Sequence, residues 1–163
     1  MPVPRGQSPT RGDPWADSEN PDATAYTREF HNPDQYRFVL NFLHRRQVQQ
    51  ISHREWHNGH TWADCILLRF ADSNDATGEA DGFISLNTDG DTSARRQIPD
   101  LTGDGEPVGF AFPKPDRDGY FDAFGVTRQG SIVVELHVGS TRGTDRADLQ
   151  NWLAEQTKLL PTF

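Results

Sequence analysis

The sequence predicts an α+β domain: an antiparallel sheet of about five strands with helices packed on one face, in the order α-β-β-α-β-β-β-α. Three observations predict it. Two β-rich segments fold back on tight-turn dipeptides, Asn58-Gly59 and Gln129-Gly130. Each of these hairpins is followed by a stretch with helical character. The run Ile132-Val133-Val134 is rich in β-branched residues and reads as a buried strand. Hairpin followed by helix occurs twice, which hints at an internal duplication.

Residues 1–31 read as a tail, because Pro2, Pro4, Pro9, Pro14 and Pro21 interrupt a polar segment. Trp15, Tyr26 and Phe30 are the residues that could dock its end. Arg11-Gly12-Asp13 is a tripeptide of common residues and carries no further argument. Residues 32–163 form the single folded domain. Asn32-Pro33 opens a helix as N-cap and first helical residue, with Asp34 at the positive end of the dipole. Tyr36, Val39, Leu40 and Leu43 then recur on one stripe. His44, Arg45 and Arg46 suit the negative end of that helix and read as solvated.

The first hairpin spans residues 52–70. A short helix over residues 74–86 follows, with Phe83 and Leu86 turned to the sheet, although its glycines weaken it. Residues 87–106 are polar and turn-rich, a loop long enough to be a contact surface. A strand over residues 107–112 precedes the second hairpin, 120–138. Thr144-Asp145 opens a last helix in which Leu149, Trp152, Leu153, Gln156 and Leu160 recur at helical spacing, and Pro161 ends it.

Composition sets limits on function. The net charge is −8 over 163 residues, which argues against nucleic acid as a partner, since that needs a basic face. Lys114 and Lys158 are the only lysines, a bias that matches a GC-rich genome better than any chemistry. The single cysteine, Cys65, excludes an intrachain disulfide, and a buried, inert thiol is expected. No apolar run reaches transmembrane length, so a soluble chain without direct membrane insertion or an address is expected.

The candidate sites follow from strand alternation. If Asn58-Gly59 is the turn, His57 opposes His60, Glu55 opposes Trp62 and His53 opposes Asp64, all on one face. Side-by-side imidazoles with a carboxylate nearby could bind zinc or nickel or relay a proton, so His53, His57, His60 and Asp64 are the metal candidates. The plainer reading is a polar, solvent-facing sheet. With Gln129-Gly130 as the second turn, Asp122 opposes His137 and Phe124 opposes Glu135, pairs that cross-strand stabilisation explains.

Residues 87–91 begin like a calcium loop but fail at Thr92 and Ile98, where glycine and a bidentate glutamate belong. Weak divalent binding by Asp89, Asp91, Asp100, Asp104 and Glu106 is what the loop offers. No dinucleotide loop, P-loop, Gly-x-Ser-x-Gly or HExxH motif is present. A binding role therefore falls to Trp62 and Glu55 on the hairpin, or to Asp89, Asp91 and Asp104 in the loop.

From residue 54 onward the chain resembles a known kind of domain. Trp62-Ala63-Asp64-Cys65-Ile66-Leu67-Leu68-Arg69-Phe70, followed by Asp72 and Ala76, is similar to the strand-then-small-residue-helix block of small lipoprotein-like, membrane-tethered domains from high-GC bacteria. Val108-Gly109-Phe110-Ala111-Phe112, then Gly130-Ser131-Ile132-Val133-Val134-Glu135, then Leu149 through Gln156 are similar to their C-terminal half. The resemblance implies an extracytoplasmic placement, no assigned activity and no catalytic residues. Their lipobox cysteine and hydrophobic anchor are not found among residues 1–163. The expectation is a non-enzymatic binding or accessory domain without cofactor, whose partner is a protein or small ligand. A metal-binding protein or metal-dependent enzyme and a subunit of a protein assembly are the alternatives.

Overall fold

The computed structural model describes residues 8–9, 23–30, 33–57, 59–88, 105–143 and 146–160. Five antiparallel strands carry the fold: β2 (Gln50–His57), β3 (Thr61–Arg69), β4 (Val108–Ala111), β5 (Phe121–Gln129) and β6 (Ile132–Ser140). A two-residue strand, β1 (Ser8–Pro9), adds to the β2 edge, giving the order β1-β2-β3-β6-β5-β4. The helices are α1 (Ala23–Phe30), α2 (Tyr36–Arg45), α3 (Ser73–Asn87) and α4 (Arg146–Thr157). The antiparallel α+β class and the element order agree with the sequence reading.

Alternation divides the sheet into two faces, and each face has a core. On the first, Ile51, Ile66, Leu68, Val133, Val126 and Phe124 meet Tyr26 of α1, Val39 and Leu43 of α2, and Ala76, Ala80, Phe83 and Ile84 of α3. On the second, Trp56, Ala63, Cys65, Val134, Leu136 and Val138 meet Leu149 and Leu153 of α4. The helices are thus not confined to one face as expected: the last one crosses to the other side. The cause is visible in β3 and β6, where Cys65, Leu136 and Val138 supply a second apolar row that must be covered. Gly109 and Gly125 clear the ground for α4. A Cβ at Gly125 would lie 2.5 Å from Leu153 Cδ1 and 3.2 Å from the Val108 carbonyl oxygen. The two hairpins do sit side by side about the β3–β6 ladder, but their following helices α3 and α4 lie on opposite faces. The duplication suggested by the sequence does not extend to the helices.

Both hairpin registers differ from expectation by two residues. His57 pairs with Trp62 and Ile51 with Leu68, so the first loop holds four residues instead of two. That register sets Ile51 beside Leu68 and Val133 in the core, which outweighs the preference of Asn-Gly for a two-residue turn. In the second hairpin Gln129 pairs with Ile132, so the turn is Gly130-Ser131. Gly130 has φ +56°, as the first central position of a type II′ turn requires. A shift of two keeps every side chain on its predicted face.

Local signals account for the helix ends. Asp72 caps α3, its carboxylate accepting hydrogen bonds from the backbone N–H groups of Asn74 and Asp75 at 2.8 and 2.9 Å. Pro33–Gln35 form a 3-10 turn, so α2 proper starts after it, later than Asn32-Pro33 implied. At its other end Gln47 adopts φ +50°, while the N–H of Val48 donates to the Leu43 carbonyl and that of Gln47 to His44, a Schellman closure. Of the basic trio there, His44 and Arg45 are exposed as read, but Arg46 turns back across Gly78 of α3 and contacts Asp75 at 3.4 Å. Helix α1 falls within the stretch read as tail, and its Tyr26 is buried.

Because α4 rests on bare backbone, Gly125→Val should push Leu153 away from the sheet and destabilise the fold by about 1–3 kcal/mol. Urea unfolding of the variant checks this; an unchanged midpoint would mean that α4 does not sit against β5.

Candidate functional site

Residues of the first face align in rows that run across the strands. One row reads Ile51, Leu68, Val133, Arg128, its first three members apolar and roofed by helices. The next reads His53, Ile66, Glu135, Val126, Val108. Then come Glu55, Asp64, His137, Phe124, Phe110, and finally His57, Trp62, Gly139, Asp122. Polarity therefore rises towards one end of the face, where the N-terminus of β3 meets the C-terminus of β6. The C-terminal end of α3 stops there, leaving a cleft.

That cleft has a volume of about 330 Å³ and is lined by Trp62, Asn87, Phe112, Asp122, Phe124 and His137 among others. The Trp62 indole lies directly against Gly139, whose missing side chain gives it room, and Trp62 remains 37% exposed. Burial pushes the pKa of His137 below its ordinary value, while the field of Asp64 opposes that shift. Its ring meets Phe83 edge-on at 5.0 Å between centroids. Burial, and next the neighbouring charge of Asp116, raise the pKa of Asp122. A neutral imidazole, an acidic side chain and an aromatic plate around one concavity can bind a small molecule through both stacking and directed hydrogen bonds.

The candidate residues fall into separate groups. His53 Nε2 and Asp64 Oδ1 meet at 3.0 Å, with both side chains largely buried. They meet diagonally, since His53 is opposite Ile66 in the ladder. Glu55 stands across from Asp64, and Trp62 across from His57. His57 and His60 are exposed at the end of the hairpin. Among the described residues, no three His, Cys, Asp or Glu side chains gather in a group that could hold a metal ion. Asp89, Asp91 and Asp104, with the rest of residues 89–104, lie outside the described residues, as do Arg11-Gly12-Asp13 and Trp15. Cys65 is a free, buried thiol whose pKa burial pushes up to about 12, as expected of an inert core cysteine.

A second cluster went unrecognised in the sequence. Glu135, in the middle of β6, is 1% exposed, and its Oε2 accepts a hydrogen bond from the Tyr26 hydroxyl at 3.1 Å. Glu79 of α3 comes down onto the same carboxyl and is also buried. Glu135 Oε1 and Glu79 Oε2 are buried without a hydrogen-bond partner. Burial raises the pKa of both carboxyls, Glu79 to about 7 and Glu135 well above its usual range, where the charge of Glu79 adds to the effect. Tyr26 is likewise raised, first by burial and then by the Glu135 charge. The available signal was a glutamate inside the apolar run 132–138, where a solvated charge has no place.

The comparisons with known proteins concern the fold. No protein-family model and no curated protein matches the chain. Among solved structures it is similar to the extracellular domain of PknH from Mycobacterium tuberculosis, with a TM-score of 0.52 and 9% sequence identity. The match covers 93% of this chain and 84% of that one, and shows a shared fold. Among the described residues, no helix is long and apolar enough to cross a membrane.

The carboxyl pair gives stability a pH dependence of definite sign. Acids with raised native pKa values bind protons more tightly folded than unfolded, so stability falls as pH rises from about 4.5 towards and beyond 7. His137, with its lowered pKa, acts oppositely, but its contribution is complete above its ordinary value of 6.5. Between that point and about pH 8, below the ordinary ranges of the Cys65 thiol and the Tyr26 hydroxyl, the carboxyls dominate. Glu135→Gln should therefore raise stability at about pH 8 by on the order of 2 kcal/mol relative to its effect at about pH 5. Chemical unfolding at both pH values measures this, and parallel wild-type and variant profiles would refute it.

Proposed function

We propose that the chain is an extracytoplasmic binding domain without catalytic activity, and that a small ligand occupies the cleft beside Trp62. The observation that carries this reading is the cleft itself: about 330 Å³, with an indole resting on Gly139 at one wall and His137 and Asp122 at another. Pockets of this size, with aromatic walls and a few convergent polar groups, are where soluble domains hold small molecules. Placement outside the cytoplasm is supported by the resemblance to tethered extracytoplasmic domains and by the name of the structural neighbour, an extracellular domain.

The lining favours a ligand with a flat or ring-shaped apolar surface for Trp62 and Phe112 and at least one donor for Asp122. His137 supplies a neutral ring nitrogen, which suits an uncharged hydroxyl or amide better than an anion. Asn87 donates one of its two side-chain N–H groups to the Phe83 carbonyl at 2.9 Å, leaving the other to donate and its oxygen to accept.

Amide NMR of the full chain, titrated with a library of small polar aromatic and sugar fragments, tests the reading. Hits should shift the Trp62 indole N–H together with the amides of Asn87, Asp122 and His137, and Trp62→Ala should weaken them about tenfold or more. Fragments that bind only away from these residues, or bind the variant equally, would contradict it. Gly139→Val should displace the indole and reduce binding to a similar extent without replacing any ligand-contacting side chain.

A further inference from the structure

A groove of about 230 Å³ runs between α2 and α3, separate from the Trp62 cleft. Its walls are Phe38, Val39, Phe42 and Leu86, with Gly82 leaving the space open and Glu79 among the lining residues. Phe38 is 57% exposed and stacks on Phe42 at 6.2 Å. The Glu79 carboxyl meets that of Glu135, and its Oε2 is buried with no hydrogen-bond partner.

We infer that this groove is a binding site for an apolar molecule with a single ammonium head, an alkyl or arylalkyl amine, whose nitrogen is held by Glu79. Charge decides the class of ligand. Two carboxyls, Glu79 and Glu135, are buried together, while Tyr26 supplies a neutral hydroxyl to Glu135. The cation whose field reaches Glu79 is Arg46. Its guanidinium is already engaged, with Asp75 Oδ1 and the Asn74 carbonyl each at 3.4 Å and the Phe42 ring 5.0 Å away. The site thus holds an unfilled acceptor and surplus acidity, with apolar walls for a hydrocarbon tail. An ammonium fills the acceptor and balances the charge, an alcohol fills only the acceptor, and a carboxylate adds a third acid to the two.

Binding also moves a proton. An ammonium beside Glu79 favours its ionised form, so near pH 7 the protonated fraction of Glu79 releases its proton to solvent as the amine enters, while Glu135 keeps its own.

Calorimetric titration of the full chain near pH 7 with n-octylamine, 1-octanol and octanoate provides the test. Octylamine should bind saturably, with the alcohol and the carboxylate about tenfold weaker or more. Its heat should differ between phosphate and HEPES buffers by the ionisation heat of the released proton. Glu79→Gln and Gly82→Leu should each weaken the amine about tenfold, the first by removing its partner and the second by filling the groove. The ligand series and the buffer comparison use the unaltered chain, so they decide even if a variant fails to fold. Absence of octylamine binding, equal binding of octanol, a buffer-independent heat, or full amine affinity in folded Glu79→Gln would each overturn the inference.

Discussion

The structure turns on a buried acid. Glu135 stands at the centre of the sheet, on the strand that pairs with both β3 and β5, and two helices reach down to it. Isolated ionised carboxylates in such a place cost several kcal/mol. The chain meets that cost with the Tyr26 hydroxyl from α1 and with the second acid, Glu79, from α3. A pair of carboxyls in contact avoids double ionisation by retaining a proton. The same hydrogen bond ties residues 23–30 to the rest of the domain, so a segment that reads as a proline-rich tail becomes part of the roof.

Around this point the sheet is covered unequally. Three helices lie over the first face but concentrate on its apolar rows, while α4 alone covers the second. Where α3 ends, the remaining rows of the first face carry His137, Trp62 and Asp122, which line the cleft. The candidate cleft is therefore a consequence of helix length as much as of residue choice. Thr88 marks the limit: its N–H and hydroxyl both bond to the Ile84 carbonyl, closing the last turn.

Much of this architecture was legible in the chain. Strand alternation placed Trp62, Asp64 and His53 on one face of the first hairpin and Asp122 and His137 on one face of the second, and it did so despite hairpin registers that were off by two residues, because parity survives an even shift. Gly130-Ser131 was the better turn signal and was present in the text. What local pattern could not supply was the side of the sheet taken by each helix. That depends on Gly109 and Gly125 leaving room for Leu149 and Leu153, a contact between residues far apart in sequence. The Glu79–Glu135–Tyr26 cluster was hidden for the same reason. Its three members lie in a supposed tail, a glycine-weakened helix and an apolar strand, and only packing brings them together. The histidines that crowd the hairpin in sequence separate in space: His53 joins Asp64, while His57 and His60 face solvent.

The most direct test of this account is a pH titration of the glutamate side-chain carboxyls by carbon-detected NMR, with Glu79→Gln and Glu135→Gln used to assign the signals. A buried pair sharing a proton predicts one carboxyl that titrates near pH 7 and another that remains protonated above it, both far from the ordinary value of 4.5. If every glutamate instead titrates between about 4 and 5, Glu135 is not enclosed with Glu79 and Tyr26, and the proposed docking of α1 and α3 on the sheet is wrong.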